Sequence, residues 1–186
     1  MIDLQQFCSK DPMRPNLHKP FSRGKFTYAT DGRIAVRVPR IADVPEQETP
    51  NPEKLFEEYF KDVPRGTIEV TVPEIKDDWQ ACRECDGSGK EHDCPDCTCG
   101  ECEDCGGKGR INRAPTVTIS IGAATYDARY MKQVLALPGL RFPAAPPKDE
   151  AAGFVFEGAT GLLMPLRWGS ETDATATVNI EAVEHV

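Results

Sequence analysis

Histidine is scarce in this chain: only His18, His92 and His185 occur among 186 residues. That shortage argues against an open, imidazole-rich site in which a catalytic metal keeps a position for water. No uncharged apolar run approaches the roughly 20 residues that a bilayer-spanning helix needs, so no membrane span is expected. The opening MIDLQQFCSKDPMRP has neither a basic n-region nor an apolar h-region. The expectation is a cytoplasmic setting, where thiols stay reduced and free for metal. A phosphate-binding glycine loop and a nucleophile–base pair are also missing, so no enzyme is expected.

Cysteine is the opposite case. Seven of the eight cysteines fall in one stretch, CRECDGSGKEHDCPDCTCGECEDCGGKG, between Cys82 and Cys105. Cys82-x2-Cys85 is followed by sixteen residues and then by Cys102-x2-Cys105. Two close pairs at that separation are a zinc signature, each pair placing two thiolates on one tight turn. Asp86-Gly87-Ser88-Gly89 follows the first pair and Gly106-Gly107-Lys108-Gly109 the second. Glycine accepts positive φ and lets backbone N–H groups approach sulfur. Inside this frame lie His92, Cys94, Cys97 and Cys99, a three-cysteine, one-histidine set that would hold a second Zn²⁺. The alternatives are one zinc with spare inner thiols, or a disulfide framework, which suits a secreted chain. Four cysteines close the outer site, so its zinc would be structural rather than catalytic.

Net charge is −8 but unevenly spread. Residues 1–40 carry eight Lys/Arg against three Asp/Glu, a balance of +5, and the rest therefore carries −13. An acidic chain binds nucleic acid poorly without sequence or structure specificity, so the basic N-terminal segment is where a phosphate backbone would be received. Residues 80–113 hold eight acids and five bases, unlike a DNA-reading finger, and point to a protein partner.

Hydrophobic periodicity predicts a short helix over 3–9, with Cys8 on its apolar face as a core thiol. Strands are expected at 26–30 and 34–38 around an Asp31-Gly32 turn. A loop at 42–53, a helix from Pro52 to Phe60 and a strand at 67–72 follow. Beyond the cysteines come a strand at 116–121 and a helix at 127–137 capped by Asp127. Strands are then expected from Leu140, at 153–157, at 161–167 and at 175–183. The cysteine-rich stretch thus sits between two strands as a hairpin with an enlarged tip. The organisation is a main domain at 1–78 and 114–186 with an insert at 79–113.

Two resemblances add to this. The repeats Cys82–Gly89 and Cys102–Gly109 have the form CxxCxGxG and resemble the cysteine-rich domain of DnaJ chaperones. That implies one zinc shared by the first and last repeats and another between them. The inner HDCPDCTC departs from the pattern by lacking the glycines, and the His-Pro-Asp tripeptide of the J-domain is absent, so stimulation of a chaperone ATPase is not implied.

The rest resembles one domain of the bacterial DNA polymerase sliding clamp. The segments are RPNLHKPFSRGKFTYATDGRIAVRV at 14–38, the helix start at Tyr126–Met131 and Gly161-Leu162-Leu163-Met164-Pro165-Leu166-Arg167. The resemblance implies an α+β domain of antiparallel sheets with two packed helices, carrying the zinc-binding hairpin insert. It also implies grooves for short peptides and helices that face DNA, with Lys10, Arg14, Arg129 and Lys132 as the contacts. A clamp domain begins with a strand, which this chain lacks; the alternating tail at 175–183 is expected to fill its place and close an edge. The combination resembles small phage and prophage proteins. The expected function is a non-enzymatic, zinc-binding protein-interaction factor linked to DNA replication. The alternatives are a DnaJ-like binder of unfolded or partner proteins, and a DNA-binding accessory protein.

Overall fold

Runs of β-branched and aromatic residues broken by turn formers set the frame of the structure, a computed structural model that describes residues 2–60, 64, 68, 70, 72, 74–90, 100–112, 116–167 and 174–180. In chain order the elements are β1 (Phe21–Arg23), β2 (Phe26–Thr30), β3 (Ile34–Pro39), α1 (Pro52–Tyr59), β4 (Trp79–Ala81) and β5 (Arg110–Asn112). Then come β6 (Thr116–Ile121), β7 (Ala124–Asp127), α2 (Ala128–Leu135), β8 (Ala152–Phe156), β9 (Ala159–Leu163) and β10 (Ala174–Ile180). The chain divides into two compact units, one of Met1–Pro73 with Val117–Val186 and one of Glu74–Thr116. The class is α+β, with antiparallel sheets, two α-helices and a cluster of four cysteines. No helix among the described residues is long and apolar enough to cross a membrane.

The first unit holds a five-stranded sheet in the order β1-β2-β3-β9-β8, antiparallel throughout. A second sheet runs β10-β6-β7. The Asp31-Gly32 turn forms as its residues demand. Gly32 takes φ +93°, and Asp31 Oδ1 accepts the N–H groups of Arg33 (2.8 Å) and Ile34 (3.0 Å). On one face of the larger sheet, Phe21, Tyr28, Ala35 and Leu162 pack with Phe56 of α1. Arg37 shares that face. Its guanidinium lies 4.6 Å from the Phe26 ring centre and 4.3 Å from that of Phe56, and its Nε donates to Thr160 Oγ1 at 2.9 Å. This cation–π sandwich lets a charged residue support α1 inside an apolar layer.

Sheet edges are covered by backbone. Ser22 of β1 hydrogen-bonds to Pro45 and Gln47, Arg141 exchanges two bonds with Val155 of β8, and the Leu166 N–H donates to Thr125 of β7. Such cover prevents edge-to-edge pairing between molecules. The tail forms β10 beside β6.

Several elements differ from the sequence reading. The helix expected over 3–9 is a 3-10 turn, Leu4–Phe7, capped by Asp3; the chain leaves it because the Ser9 N–H bonds to Leu17 O (2.9 Å). The strand expected from Leu140 contracts to a single bridge, Arg141 to Val155. β9 starts earlier than expected and ends at Leu163, two residues before Pro165, which has no N–H to donate. Short β1, β4, β5 and β7 were not anticipated. The strand expected at 67–72 lies largely outside the described residues.

Cys8 is 6 % exposed, its Sγ donating to Leu4 O at 3.8 Å, and burial pushes its pKa up to about 11. Two outcomes follow from this packing. At neutral to mildly alkaline pH, Cys8 should alkylate at least about a hundredfold more slowly than a free thiol of pKa about 8.5, read by mass spectrometry of digested peptides. Gly161 sits opposite Phe154 in the β8–β9 register, and a Cβ there would enter the Phe154 ring. Gly161→Ala should therefore cost about 1–3 kcal/mol in denaturant unfolding, as overpacked positions do.

Candidate metal centre

The second unit is built on its cysteines. Cys82, Cys85, Cys102 and Cys105 are 0, 0, 4 and 7 % exposed, and the partly buried Ile111 packs against them. The four thiols are free of disulfides. Cys82 and Cys102 Sγ lie 3.9 Å apart, Cys85 and Cys105 Sγ 3.8 Å apart, and all four sulfurs fall within 4.8 Å of one another. Tetrahedral thiolates with metal–sulfur bonds of about 2.3 Å sit about 3.8 Å apart. The spacing therefore fits one metal ion, while covalent S–S bonding needs about 2.05 Å.

Two knuckles repeat each other bond for bond. The Gly87 N–H donates to Cys82 O and the Ser88 N–H to Cys85 O; Gly107 and Lys108 do the same to Cys102 O and Cys105 O. The Gly89 N–H donates to Cys85 Sγ and the Gly109 N–H to Cys105 Sγ, both at 3.2 Å. The repeats then interlock, Cys82 N–H to Gly109 O and Cys102 N–H to Gly89 O, each 2.9 Å. Glycine is required at the crossing. Gly89 and Gly109 adopt φ +75° and +67°, and a Cβ on either would meet the backbone carbonyl of Gly107 or Gly87. Below the knuckles, β4 and β5 pair antiparallel, with Arg110 stacked 5.0 Å from the half-exposed Trp79 ring.

The four thiols are unevenly poised. Burial pushes Cys82 up. For Cys85, burial also acts upward, but the Gly89 N–H and the neighbouring thiols outweigh it and lower the pKa to about 7. The Cys105 N–H favours the Cys102 thiolate, yet burial and protons shared with Cys105 and Cys85 hold Cys102 up at about 12. Four thiolates in this volume need a cation, and binding one displaces protons.

The structure thus brings together Cys82, Cys85, Cys102 and Cys105. His92, Cys94, Cys97 and Cys99 lie outside the described residues; the Lys90–Glu101 bridge closes the chain at either side of that segment. Of the expected DNA contacts, Arg14 and Arg129 are engaged internally, with Asp11 at 3.6 Å and Asp127 at 2.7 Å. Lys10 is exposed, and Lys132 is exposed on α2. Sequence reasoning missed Arg33 and an apolar cleft of about 190 Å³ lined by Ile34, Leu55, Tyr59, Leu162 and Met164. No linear motif marks that cleft, because its walls come from distant segments. Comparison with family models, curated proteins and solved structures returns no match.

Chelation should collapse this unit selectively. Amide dispersion of 82–110 in NMR spectra is expected to vanish with a strong chelator and return with one equivalent of metal; dispersion that survives chelation would contradict a metal-dependent core. Because the thiols protonate as pH falls, apparent metal affinity should drop from about pH 8 to about pH 6, measured against a chromophoric chelator. Gly109→Ala should weaken metal binding by the same assay, since the carbonyl contact cannot be relieved without opening the crossing.

Proposed function

We propose that this chain is a non-enzymatic, zinc-stabilised protein-interaction factor built on a sliding-clamp-like unit and serving phage or prophage DNA replication. The observation that carries the zinc reading is the closed set of four buried sulfurs on two glycine knuckles. All four tetrahedral positions are protein thiolates, so no position is left for a reacting water. His92, Cys94, Cys97 and Cys99 are proposed as a second site.

Contacts between the resembling segments support the clamp-like reading. Asp31 of the ATDG turn accepts the Tyr130 hydroxyl of the α2 start at 2.6 Å, and β3 pairs with β9 through Ile34–Leu163 and Ala35–Leu162. The apolar cleft beside these strands, with Leu55 46 % exposed at its wall, is the seat for a partner peptide. The paired CxxCxGxG knuckles favour a second reading, a DnaJ-like binder of unfolded chains.

Native mass spectrometry should show two zinc ions per chain; one would remove the inner site, and none would sink the metal reading. Partners captured on the full chain, then purified, should bind at least about tenfold more weakly to Leu55→Glu, the loss of one well-packed contact. Equal binding would remove the cleft from the proposal. Suppression of aggregation of a denatured client, lost on chelation, would favour the DnaJ-like reading.

A further inference from the structure

The first unit contains a polar cleft that meets the apolar cleft only at Arg33. It consists of two adjoining cavities, of about 630 and about 300 Å³, which share Lys10, Asp31, Arg33 and Tyr130 as lining. Three stretches meet there: the chain after the first 3-10 turn, the β2–β3 turn and the start of α2.

Its carboxylates are already engaged. Asp31 Oδ1 accepts the Arg33 and Ile34 N–H groups, and Oδ2 accepts the Tyr130 hydroxyl. Asp127 accepts the N–H, Nε and Nη2 of Arg129 at 2.8, 3.1 and 2.7 Å. Asp11 accepts the Met13 N–H at 2.9 Å and faces Arg14 Nε at 3.6 Å. Two of the four cations are engaged as well. Arg129 is held by Asp127, and Arg14 additionally donates from Nη1 to Asp31 O at 3.1 Å. Lys10 and Arg33 are different. Both are exposed at the cleft, and among the described residues neither has a carboxylate within ion-pair distance or a side-chain hydrogen bond.

We propose that this cleft binds a phosphoryl group between Arg33 and Lys10. A phosphate monoester carries close to two charges and three acceptor oxygens, which matches two cations. The guanidinium presents a planar fork to two of those oxygens, and the ammonium serves as a point charge for the third. The carboxylates beneath keep their own donors and need not be displaced. A space of some 630 Å³ lies within the roughly 300–1,000 Å³ range of small-ligand sites, so it also admits the organic group that the phosphate esterifies. A free organic phosphate and a terminal phosphate of a nucleic acid share this chemistry. The site draws on none of Cys82, Cys85, Cys102 and Cys105 and shares only Arg33 with the apolar cleft.

The test is calorimetric titration of the full, metal-loaded chain at low salt with inorganic phosphate, glycerol phosphate and acetate. Short DNA duplexes with and without terminal phosphates form a further arm. Saturable binding of one glycerol phosphate per chain is expected, with acetate at least about tenfold weaker. Arg33→Ala and Lys10→Ala should each weaken it at least about tenfold, the loss of one charge-assisted contact. Lys54→Ala, exposed on α1 and outside the cleft, should leave it within about twofold, and all variants should keep the parent circular dichroism. Duplex binding that requires the terminal phosphate and is displaced by glycerol phosphate supports the site and assigns it to nucleic-acid ends. Glycerol phosphate binding without any duplex binding supports it and assigns it to a small metabolite. Absence of saturable phosphate binding overturns the proposal. So does binding indifferent to Arg33→Ala, or duplex binding that ignores terminal phosphates and is not displaced.

Discussion

Four sulfurs held within 4.8 Å of one another repel as thiolates and, as thiols, offer only weak packing. A divalent cation would turn that arrangement favourable, and the described residues of the second unit offer little else to fold around. Among the described residues, Ile111 is the partly buried hydrophobic packed on the cluster. Below about 40 residues a chain rarely buries enough apolar surface to fold unaided, and a metal commonly substitutes for the missing core. The described residues of this unit fit that constraint. The interlocked knuckles aim N–H groups at sulfur, glycines permit the carbonyls to pass at the crossing, and a short antiparallel ribbon closes the base.

The first unit solves a different problem by ordinary means. Aromatic rings of β1, β2 and α1 fill one face of the five-stranded sheet, and Arg37 is tolerated there because two rings accept its charge. Asp31 does two jobs with its two oxygens. One organises the β2–β3 turn and the other receives Tyr130, so the turn and α2 are fixed to each other. That tie has an electrostatic result. Asp31 takes its hydrogen bonds from neutral donors and Asp127 pairs with Arg129, so among the described residues Arg33 and Lys10 are the cations of the polar cleft without a carboxylate at ion-pair distance.

Function therefore divides by chemistry. Four thiols would leave no open position on a metal they held, which suits stabilisation rather than catalysis. The apolar cleft and the polar cleft are open surfaces, one suited to a side chain and the other to an anion. A chain of net charge −8 gains little from nonspecific attraction to nucleic acid, and a localised pair of cations, as proposed for Arg33 and Lys10, would be a more selective receiver than a diffuse basic segment.

The outer four-cysteine cluster was legible because metal chemistry would impose local rules: two thiolates per turn, glycine where the backbone must pass close, and a spacing that lets two turns face each other. Asp31-Gly32 as a turn and Asp127 as a cap were legible for the same reason, since a side chain two or three residues from the N–H groups it accepts is a short-range affair. Limits appeared wherever pairing decided the outcome. Residues 3–9 have helical spacing, yet a hydrogen bond from Ser9 to Leu17 ends the helix after one turn. Leu140–Phe142 has strand composition, yet only Arg141 finds a partner. The basic N-terminal segment could be counted but not sorted. Which arginines were consumed by carboxylates and which remained free depended on residues as far apart as Lys10, Arg33 and Asp127. By itself the sequence determined donor atoms, their local spacing and the turns that hold them. Tertiary structure alone decided which charges meet, which stay unpaired and which apolar walls enclose a cleft, because Coulombic pairing and burial depend on distances through space rather than along the chain.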